Sequence, residues 1–129
     1  WVISKVIDAL NERGKLLNSA KILVLGIAYK KNVNDTRESP AVELMKILHE
    51  KGAIFDYTDP YVPVFPKMRK HNFDLTSVVT TPEKIAEYDL LILVTDHDKF
   101  DYTMFQKYAQ LIVDTRGVYR QQANNIVRA

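Results

Sequence analysis

Two nearly continuous apolar runs constrain the fold of this chain more than any other feature. They are residues 22–25 and residues 90–94, and every residue in them is Ile, Leu or Val. A strand without polar alternation is buried on both faces, as happens in a parallel sheet covered by helices. Segments with helical spacing alternate with the strand-like ones, which is typical of repeated strand–helix units. We therefore predict an α/β fold: a Rossmann-like three-layer α/β/α sandwich with a mainly parallel sheet.

Cap and turn residues place the remaining elements. Ser39 precedes Pro40 and Thr81 precedes Pro82, so each pair supplies an N-cap and a first helical residue. Residues 60–76 contain three prolines and are predicted to be irregular. We predict helices at residues 2–13, 40–51, 82–88 and 102–109, and strands at residues 21–25, 53–58, 77–80, 89–95 and 111–114.

Composition limits the classes of function. The 129 residues suffice for one compact domain. The formal net charge of +2, from 18 basic and 16 acidic side chains, is too balanced for nucleic-acid binding through bulk charge. The absence of cysteine excludes disulfides, thiolate metal sites and thiol catalysis by this chain. Because we find neither a signal peptide nor an apolar run of about 20 residues, we expect a cytoplasmic protein without nucleic-acid or membrane partners.

The sequence begins at Trp1 rather than at Met and enters a helical pattern at once. We interpret residues 1–19 as the end of a linker helix from an upstream region, and residues 20–129 as the domain that follows it. We therefore expect a piece of a longer protein. The alternative is an ordinary N-terminal helix of a complete protein.

The loop between the first strand and the next helix, residues 26–40, lies where open α/β sheets bind ligands. A dinucleotide fingerprint, Gly-x-Gly-x-x-Gly, requires glycines that let the backbone approach a pyrophosphate. Only Gly26 fits this fingerprint, because Ala28 and Lys31 hold the other two positions. We therefore do not predict a dinucleotide fingerprint in this loop.

Cations stand in this loop instead of the glycines. Lys30, Lys31 and Arg37 suit phosphate or carboxylate groups, which Lys attracts as a point charge and Arg binds through paired hydrogen bonds. The alternative is a solvated basic loop in which Arg37 pairs with Asp35 or Glu38. The residues alone leave both interpretations open.

Polar residues also follow later strands, at the same predicted edge. Asp59 stands where a dinucleotide fold has its ribose-binding acid, but Asp59-Pro60 favours a turn in which the carboxylate accepts backbone amides. The run Asp96-His97-Asp98 could suggest a metal site. Because adjacent side chains point apart, we favour hydrogen bonds within the loop or across an interface, and we predict no metal.

Arg116 follows the last predicted strand and therefore leaves the same edge as Lys30. Two strand-end cations that converge on one cleft indicate an anion site more strongly than either cation alone. A simple pair between Arg116 and an aspartate is the alternative.

The chain resembles the C-terminal domain of the UDP-glucose/GDP-mannose dehydrogenase family over essentially its whole length. The resemblance depends on one long motif, which is specific, and on short motifs in the same order, which are individually weak. These motifs are Gly26-Ile27-Ala28-Tyr29-Lys30 with Asp35-Thr36-Arg37-Glu38-Ser39-Pro40, then Asp59-Pro60, Thr95-Asp96-His97 and Asp114-Thr115-Arg116.

The resemblance implies an enzyme with three parts: an N-terminal NAD-binding domain, a central helical dimerisation domain and this C-terminal nucleotide-sugar-binding domain. Such enzymes oxidise the C6 alcohol of the sugar to a carboxylate with two NAD, through a thioester on a cysteine that would lie upstream of Trp1. By motif position, Tyr29, Lys30 and Arg116 would bind the UDP-sugar substrate, and Arg37 would reach the NAD cofactor. No catalytic residue is assigned to this chain.

The resulting prediction is the UDP-sugar-binding domain of an NAD-dependent nucleotide-sugar 6-dehydrogenase, of the UDP-glucose or UDP-N-acetylhexosamine type, which supplies surface-polysaccharide precursors. Its partners would be the UDP-sugar, the remaining domains of the parent enzyme and further copies in a homo-oligomer. The domain alone should be inactive. The alternative is a free-standing Rossmann-like module that binds a nucleotide or mediates assembly without catalysis.

Overall fold

A computed structural model describes residues 1–37, 39–67 and 73–129. Within these ranges the strands form a five-stranded sheet in the order β2-β1-β3-β4-β5, and every neighbouring pair is parallel. The predicted α/β fold with a parallel sheet is confirmed. The strands are β1 (Lys21–Leu25), β2 (Ile54–Thr58), β3 (Leu90–Leu93), β4 (Ile112–Asp114) and β5 (Ile126–Arg128), and the helices are α1 (Val2–Glu12), α2 (Pro40–Glu50), α3 (Pro82–Ala86) and α4 (Tyr102–Tyr108).

The sheet is buried on both faces because its side chains alternate between two apolar layers. In β1, Ile22 and Val24 pack with the buried residues of α1 and α2. Leu23 and Leu25 point to the other face and pack with the buried residues of α3 and α4. This arrangement produces the three layers and explains why the strands lack polar alternation.

The helices after β1 and before β3 begin where their cap residues predict. The Ser39 hydroxyl accepts a hydrogen bond from the Ala41 amide (3.2 Å), and the Thr81 hydroxyl accepts one from the Lys84 amide (3.1 Å). Each cap satisfies an amide that lacks a partner in the first turn. The bounds of the predicted elements that form differ from the observed ones by at most two residues.

Two strand predictions at the sheet edges are wrong. Residues 77–80 form no strand. The Val78 amide donates to the Tyr57 carbonyl (2.9 Å), as it would in a sheet, but the Val78 carbonyl accepts from the Thr58 hydroxyl (2.9 Å). Backbone pairing therefore ends after one hydrogen bond. The strand after α4 is not the last one, because β5 follows it. β5 has only three residues and is partly exposed, so it is too short for a periodic pattern.

Helix α1 packs on the same core as the rest of the chain. Val6, Ala9 and Leu10 are buried in the layer that covers β1. Beyond the helix, the Arg13 guanidinium donates to the Asn124 carbonyl (2.8 Å). The division into residues 1–19 and 20–129 stays a prediction. Within the described ranges, no helix combines the length and the apolar character needed to cross a bilayer.

Candidate functional site

The loops that follow β1, β2, β3 and β4 meet at the carboxyl edge of the sheet. Backbone hydrogen bonds join these ends, as from the Gly26 amide to the Thr58 carbonyl (2.9 Å) and from the Thr115 amide to the Leu93 carbonyl (3.2 Å). Because β1 lies between β2 and β3, the loop at residues 26–39 is flanked by the ends of both neighbours. Every ligand candidate from the sequence lies in the loop after β1 or in the loop after β4.

Gly26 allows the loop after β1 to pass closely over the end of β3. Its φ is +85°, and a Cβ added there would lie 2.6 Å from both the Cβ and the carbonyl oxygen of Thr95. Glycine is therefore needed for a contact within the protein. Packing against the end of β3 thus accounts for the glycine at this position.

Asp59 is the buried centre of this edge, with 1% of its surface exposed. Its Oδ2 accepts from the amides of Ile27 (2.9 Å) and Ala28 (3.2 Å) and from His97 Nε2 (2.9 Å), while its Oδ1 accepts from the Tyr61 amide (2.8 Å). Burial by itself raises the pKa of Asp59, but the hydrogen bonds from His97 and the backbone amides outweigh it and lower the pKa below its ordinary value. The predicted turn at Asp59 is confirmed, and the same carboxylate also binds the loop after β1.

His97 is fully buried and joins two loops. Its Nδ1 accepts a hydrogen bond from the Asn32 amide (2.8 Å), and an amide can only donate. Nδ1 therefore carries no proton, and the proton on Nε2 points to Asp59. The contact between His97 and Asp59 is thus a hydrogen bond from a neutral ring rather than a pair of full charges.

Asn32 is a residue to which the sequence analysis assigned no role. Its φ is +63°, a left-handed conformation that Asn adopts more readily than most residues. Its side chain exchanges two hydrogen bonds with Asp98: Nδ2 donates to Oδ2 (2.8 Å), and Oδ1 accepts from the Asp98 amide (3.0 Å). Asn is a residue that favours turns, and this was the only sequence signal for Asn32. Because Asn34 lies in the same loop, the sequence could not indicate which of the two makes these contacts.

The run 96–98 after β3 makes hydrogen bonds to neighbouring loops, and within its own loop the His97 carbonyl accepts from the Phe100 amide (3.3 Å). His97 contacts Asp59 and Asn32, and Asp98 contacts Asn32. Across residues 1–37, 39–67 and 73–129, no three acidic or histidine side chains come together as a metal would require. The structure therefore gives these polar residues a role in joining loops.

Tyr29 and Lys30 project from the loop after β1. Tyr29 is 54% exposed, although its amide donates to the Asp35 carbonyl (2.5 Å). In the described part of the chain, no carboxylate pairs with the amine of Lys30. The neighbouring Lys31 lies 3.9 Å from an oxygen of Asp98. Lys30 is thus an exposed residue at the carboxyl edge of the sheet.

Arg37 lies at the far end of the same loop and pairs with Asp35, as one of the two interpretations anticipated. Its Nε and Nη2 donate to the two carboxylate oxygens of Asp35 (3.1 and 3.0 Å). These hydrogen bonds lower the pKa of Asp35. Its other predicted partner, Glu38, lies outside the described residues. The Arg37 side chain is 88% exposed, so the pair stands at the surface.

Arg116 lies next to the loop after β3, because its Nε is 3.4 Å from Oδ1 of Asp96. The predicted pair between Arg116 and an aspartate is therefore present. Half of the Arg116 side chain remains exposed. It lines an open cavity of about 250 Å³ together with Val94 and with Pro40 and Leu44 of α2. The loops that carry Lys30 and Arg116 thus both contact the segment 96–98, from two sides.

Comparison of the sequence with known protein families gives one match that covers the site. Residues 23–121 match the family model described as "UDP-glucose/GDP-mannose dehydrogenase family, UDP binding domain". The chain belongs to the UDP-glucose/GDP-mannose dehydrogenase family. The match runs from β1 to beyond β4 and includes every loop of the site, so the resemblance carried by the motifs is confirmed.

Two curated relatives of this UDP-binding domain are UDP-N-acetyl-D-mannosamine dehydrogenases. The enzyme from Methanococcus maripaludis (strain C7) is 36% identical over 100 residues, which are 78% of this chain and 21% of the relative. The enzyme from Escherichia coli (strain K12) is 30% identical over 128 residues, which are 93% of this chain and 29% of the relative. The chain therefore spans less than a third of the length of these relatives.

A solved structure of a UDP-D-ManNAc dehydrogenase from Pyrococcus horikoshii has the same fold. It matches with a TM-score of 0.75 at 21% identity, over 98% of this chain and 29% of that one. The backbone comparison thus supports the fold, and the family membership follows from the sequence match.

Proposed function

We propose that this chain is the UDP-sugar-binding part of an NAD-dependent nucleotide-sugar 6-dehydrogenase, which oxidises the C6 alcohol of a UDP-linked glucose or N-acetylhexosamine to a carboxylate. The observation that carries the proposal is the position of Lys30 and Arg116, in two loops that contact the segment 96–98 at the carboxyl edge. This edge is where open parallel sheets bind ligands. The names of the two curated relatives favour an N-acetylhexosamine as the sugar.

The proposed reaction divides its tasks between this chain and the rest of the enzyme. Oxidation of a primary alcohol to a carboxylate removes four electrons, so two NAD each accept a hydride and water supplies the second oxygen. This chain has no cysteine for a thioester, and its loop after β1 lacks the Gly-x-Gly-x-x-Gly fingerprint of a dinucleotide site. We assign those tasks to the parts of the enzyme outside this chain.

The chain's own residues would bind and orient the substrate. Lys30 and Arg116 would bind the diphosphate, for which a Lys point charge and an Arg fork are suited. Tyr29 would contact the nucleotide sugar, and the exposed Arg37 would reach NAD held by another domain. On the family resemblance alone, the parent would act in the cytoplasm as a homo-oligomer and supply surface-polysaccharide precursors.

Alanine in place of Lys30 or Arg116 is expected to weaken the binding of UDP to this chain by about 10- to 150-fold. Each change removes a hydrogen bond between charged groups, which contributes about 1.5–3 kcal/mol. Arg116→Ala also leaves the Asp96 carboxylate without its cation beside the anionic ligand. Isothermal titration calorimetry with UDP at low salt measures both effects.

Two control variants separate the substrate site from general charge effects. Lys51→Ala removes an exposed lysine directly after α2, at the opposite edge of the sheet, and should leave the affinity for UDP unchanged. Arg37→Ala should also leave it unchanged if Arg37 serves NAD. A loss with Arg37→Ala as large as with Lys30→Ala would assign Arg37 to the substrate. Unchanged affinity in both the Lys30 and Arg116 variants would contradict the proposal.

A further inference from the structure

The segment 29–30 is attached to the rest of the fold on both of its sides. On the amino-terminal side, the Ala28 amide donates to Oδ2 of Asp59 (3.2 Å). On the carboxyl-terminal side, the Asn32 amide donates to Nδ1 of His97 (2.8 Å). The two side chains proposed to contact the nucleotide sugar therefore project from a short span between fixed ends.

His97 takes part in both attachments. Its Nε2 donates to the same oxygen of Asp59 (2.9 Å) that accepts the loop amide, and its Nδ1 accepts from Asn32. The ring is fully buried, with ring centroids 4.8 Å from Tyr61 and 5.4 Å from Phe100. Both nitrogens are thus occupied, and close packing keeps the ring in one orientation.

Further contacts hold the backbone of His97 and the start of the loop. The Tyr102 hydroxyl donates to the His97 carbonyl (2.7 Å), which ties this residue to α4. The Thr95 hydroxyl donates to the Ala28 carbonyl (2.7 Å), so the end of β3 also contacts the loop before the segment 29–30. Groups at the end of β3 therefore hold the loop after β1 on both sides of the segment 29–30.

We propose that His97 is a positioning residue for the nucleotide-sugar site. Its single neutral tautomer binds Asp59 on one side and Asn32 on the other, and so sets the course of the segment 29–30 before a ligand arrives. A loop that is already ordered loses less conformational entropy on binding, so the ligand binds more tightly. This inference depends on the proposed function, because it concerns a loop whose side chains are assigned there to the UDP-sugar.

Two substitutions of His97 separate its two hydrogen bonds. His97→Asn places a carbonyl oxygen near the position of Nδ1, where it can accept from Asn32, but the side chain is too short to reach Asp59. His97→Gln reaches Asp59 with its amide group and leaves the Asn32 amide without an acceptor. Both variants remove the buried ring and so share a general loss of stability.

The two variants are expected to differ in their affinity for UDP. His97→Gln should bind UDP about tenfold more weakly than the wild-type chain, because the hydrogen bond that fixes the Asn32 backbone to the ring is lost and only the Asn32 side chain still contacts Asp98. His97→Asn should stay within about threefold, because that attachment is kept and the loop amides still reach Asp59. Calorimetric titration with UDP, at a temperature where circular dichroism shows both variants folded, gives the comparison. A purely structural role would lower the stability of both without separating their affinities.

Equal affinity of the two variants, or wild-type affinity in His97→Gln, would overturn the inference. If the wild-type chain binds UDP and Lys30→Ala weakens that binding, such a result removes the positioning role alone. If the wild-type chain does not bind UDP, the proposed function is wrong and this inference falls with it.

Two variants in the exposed loop test the same attachment without altering the core. Asn32→Gly keeps the amide and accepts the φ of +63°, whereas Asn32→Pro removes the amide and restricts φ to about −65°. Asn32→Gly should bind UDP within about threefold of the wild-type chain, and Asn32→Pro about tenfold more weakly. Equal affinities of these two variants would contradict the inference even if the His97 variants do not fold.

Discussion

Replacing Asp59 with alanine is expected to lower the free energy of unfolding by about 3–5 kcal/mol. The carboxylate is buried and accepts hydrogen bonds from His97 and from the amides of Ile27, Ala28 and Tyr61. Alanine leaves these donors inside the fold without an acceptor. Since a domain is stable by only about 5–15 kcal/mol in total, the loss should be evident in urea unfolding followed by circular dichroism.

The control for this prediction is an aspartate on the surface. Asp8 is exposed on α1, and Asp8→Ala should change the unfolding free energy by less than about 0.5 kcal/mol. A loss below about 1 kcal/mol for Asp59→Ala would mean that the carboxylate is not the acceptor that joins these loops.

The unfolding free energies of the wild-type chain and of Asp59→Ala should depend differently on pH. The pKa of Asp59 is lower than usual in the folded chain and rises to its ordinary value on unfolding. The stability that its charge contributes is therefore complete above the unfolded pKa and is lost as pH falls through the folded pKa. The difference in unfolding free energy between the wild-type chain and Asp59→Ala should shrink as pH falls below about 4. A difference that is constant between pH 6 and pH 3 would contradict the assigned hydrogen bonds.

Gly26→Ala is expected to lower the free energy of unfolding by about 2–4 kcal/mol. An L residue at a φ of +85° is strained, and the added Cβ would lie 2.6 Å from the Thr95 carbonyl oxygen, which belongs to the backbone and cannot rotate away. The loop after β1 would have to move away from β3. Urea unfolding measures the loss, and titration with UDP shows whether the displaced loop also binds more weakly.

Gly117 supplies a matched control for the backbone strain. Its φ is +73°, and a Cβ added there would have no other atom within 4 Å. Gly117→Ala should therefore show the conformational cost alone, about 1–2 kcal/mol. Equal losses in the two variants would show that the close approach to Thr95 contributes nothing.

Most of the fold could be predicted from the sequence because its signals are local. The uninterrupted apolar runs of β1 and β3 indicate buried parallel strands, and Ser39 with Pro40 indicates the start of α2. The errors lie where local signals are weak. β5 is only three residues long and lies at an edge of the sheet. Residues 77–80 lie beside the end of β2, but there the Thr58 side chain, rather than the backbone, binds the Val78 carbonyl, so no strand pairing forms.

The site was predicted less completely, because its central contacts depend on strand order. The sequence places Asp59, His97 and the loop after β1 at one edge of the sheet. The order β2-β1-β3 places that loop between the other two, so that Asp59 and His97, 38 positions apart, contact each other and both bind the loop's amides. The role of Asn32 likewise depends on a partner 65 positions away. The pairing of Arg37 with Asp35, a contact over two positions, could be anticipated as an alternative.

The most direct test of the central claim is titration of the isotope-labelled chain with UDP, followed by the backbone amide resonances in NMR. We predict saturable shifts at Tyr29, Lys30 and Arg116, and no comparable shifts at Lys51 beyond the other edge of the sheet. Unchanged resonances in the loops after β1 and β4 at millimolar UDP would contradict the account.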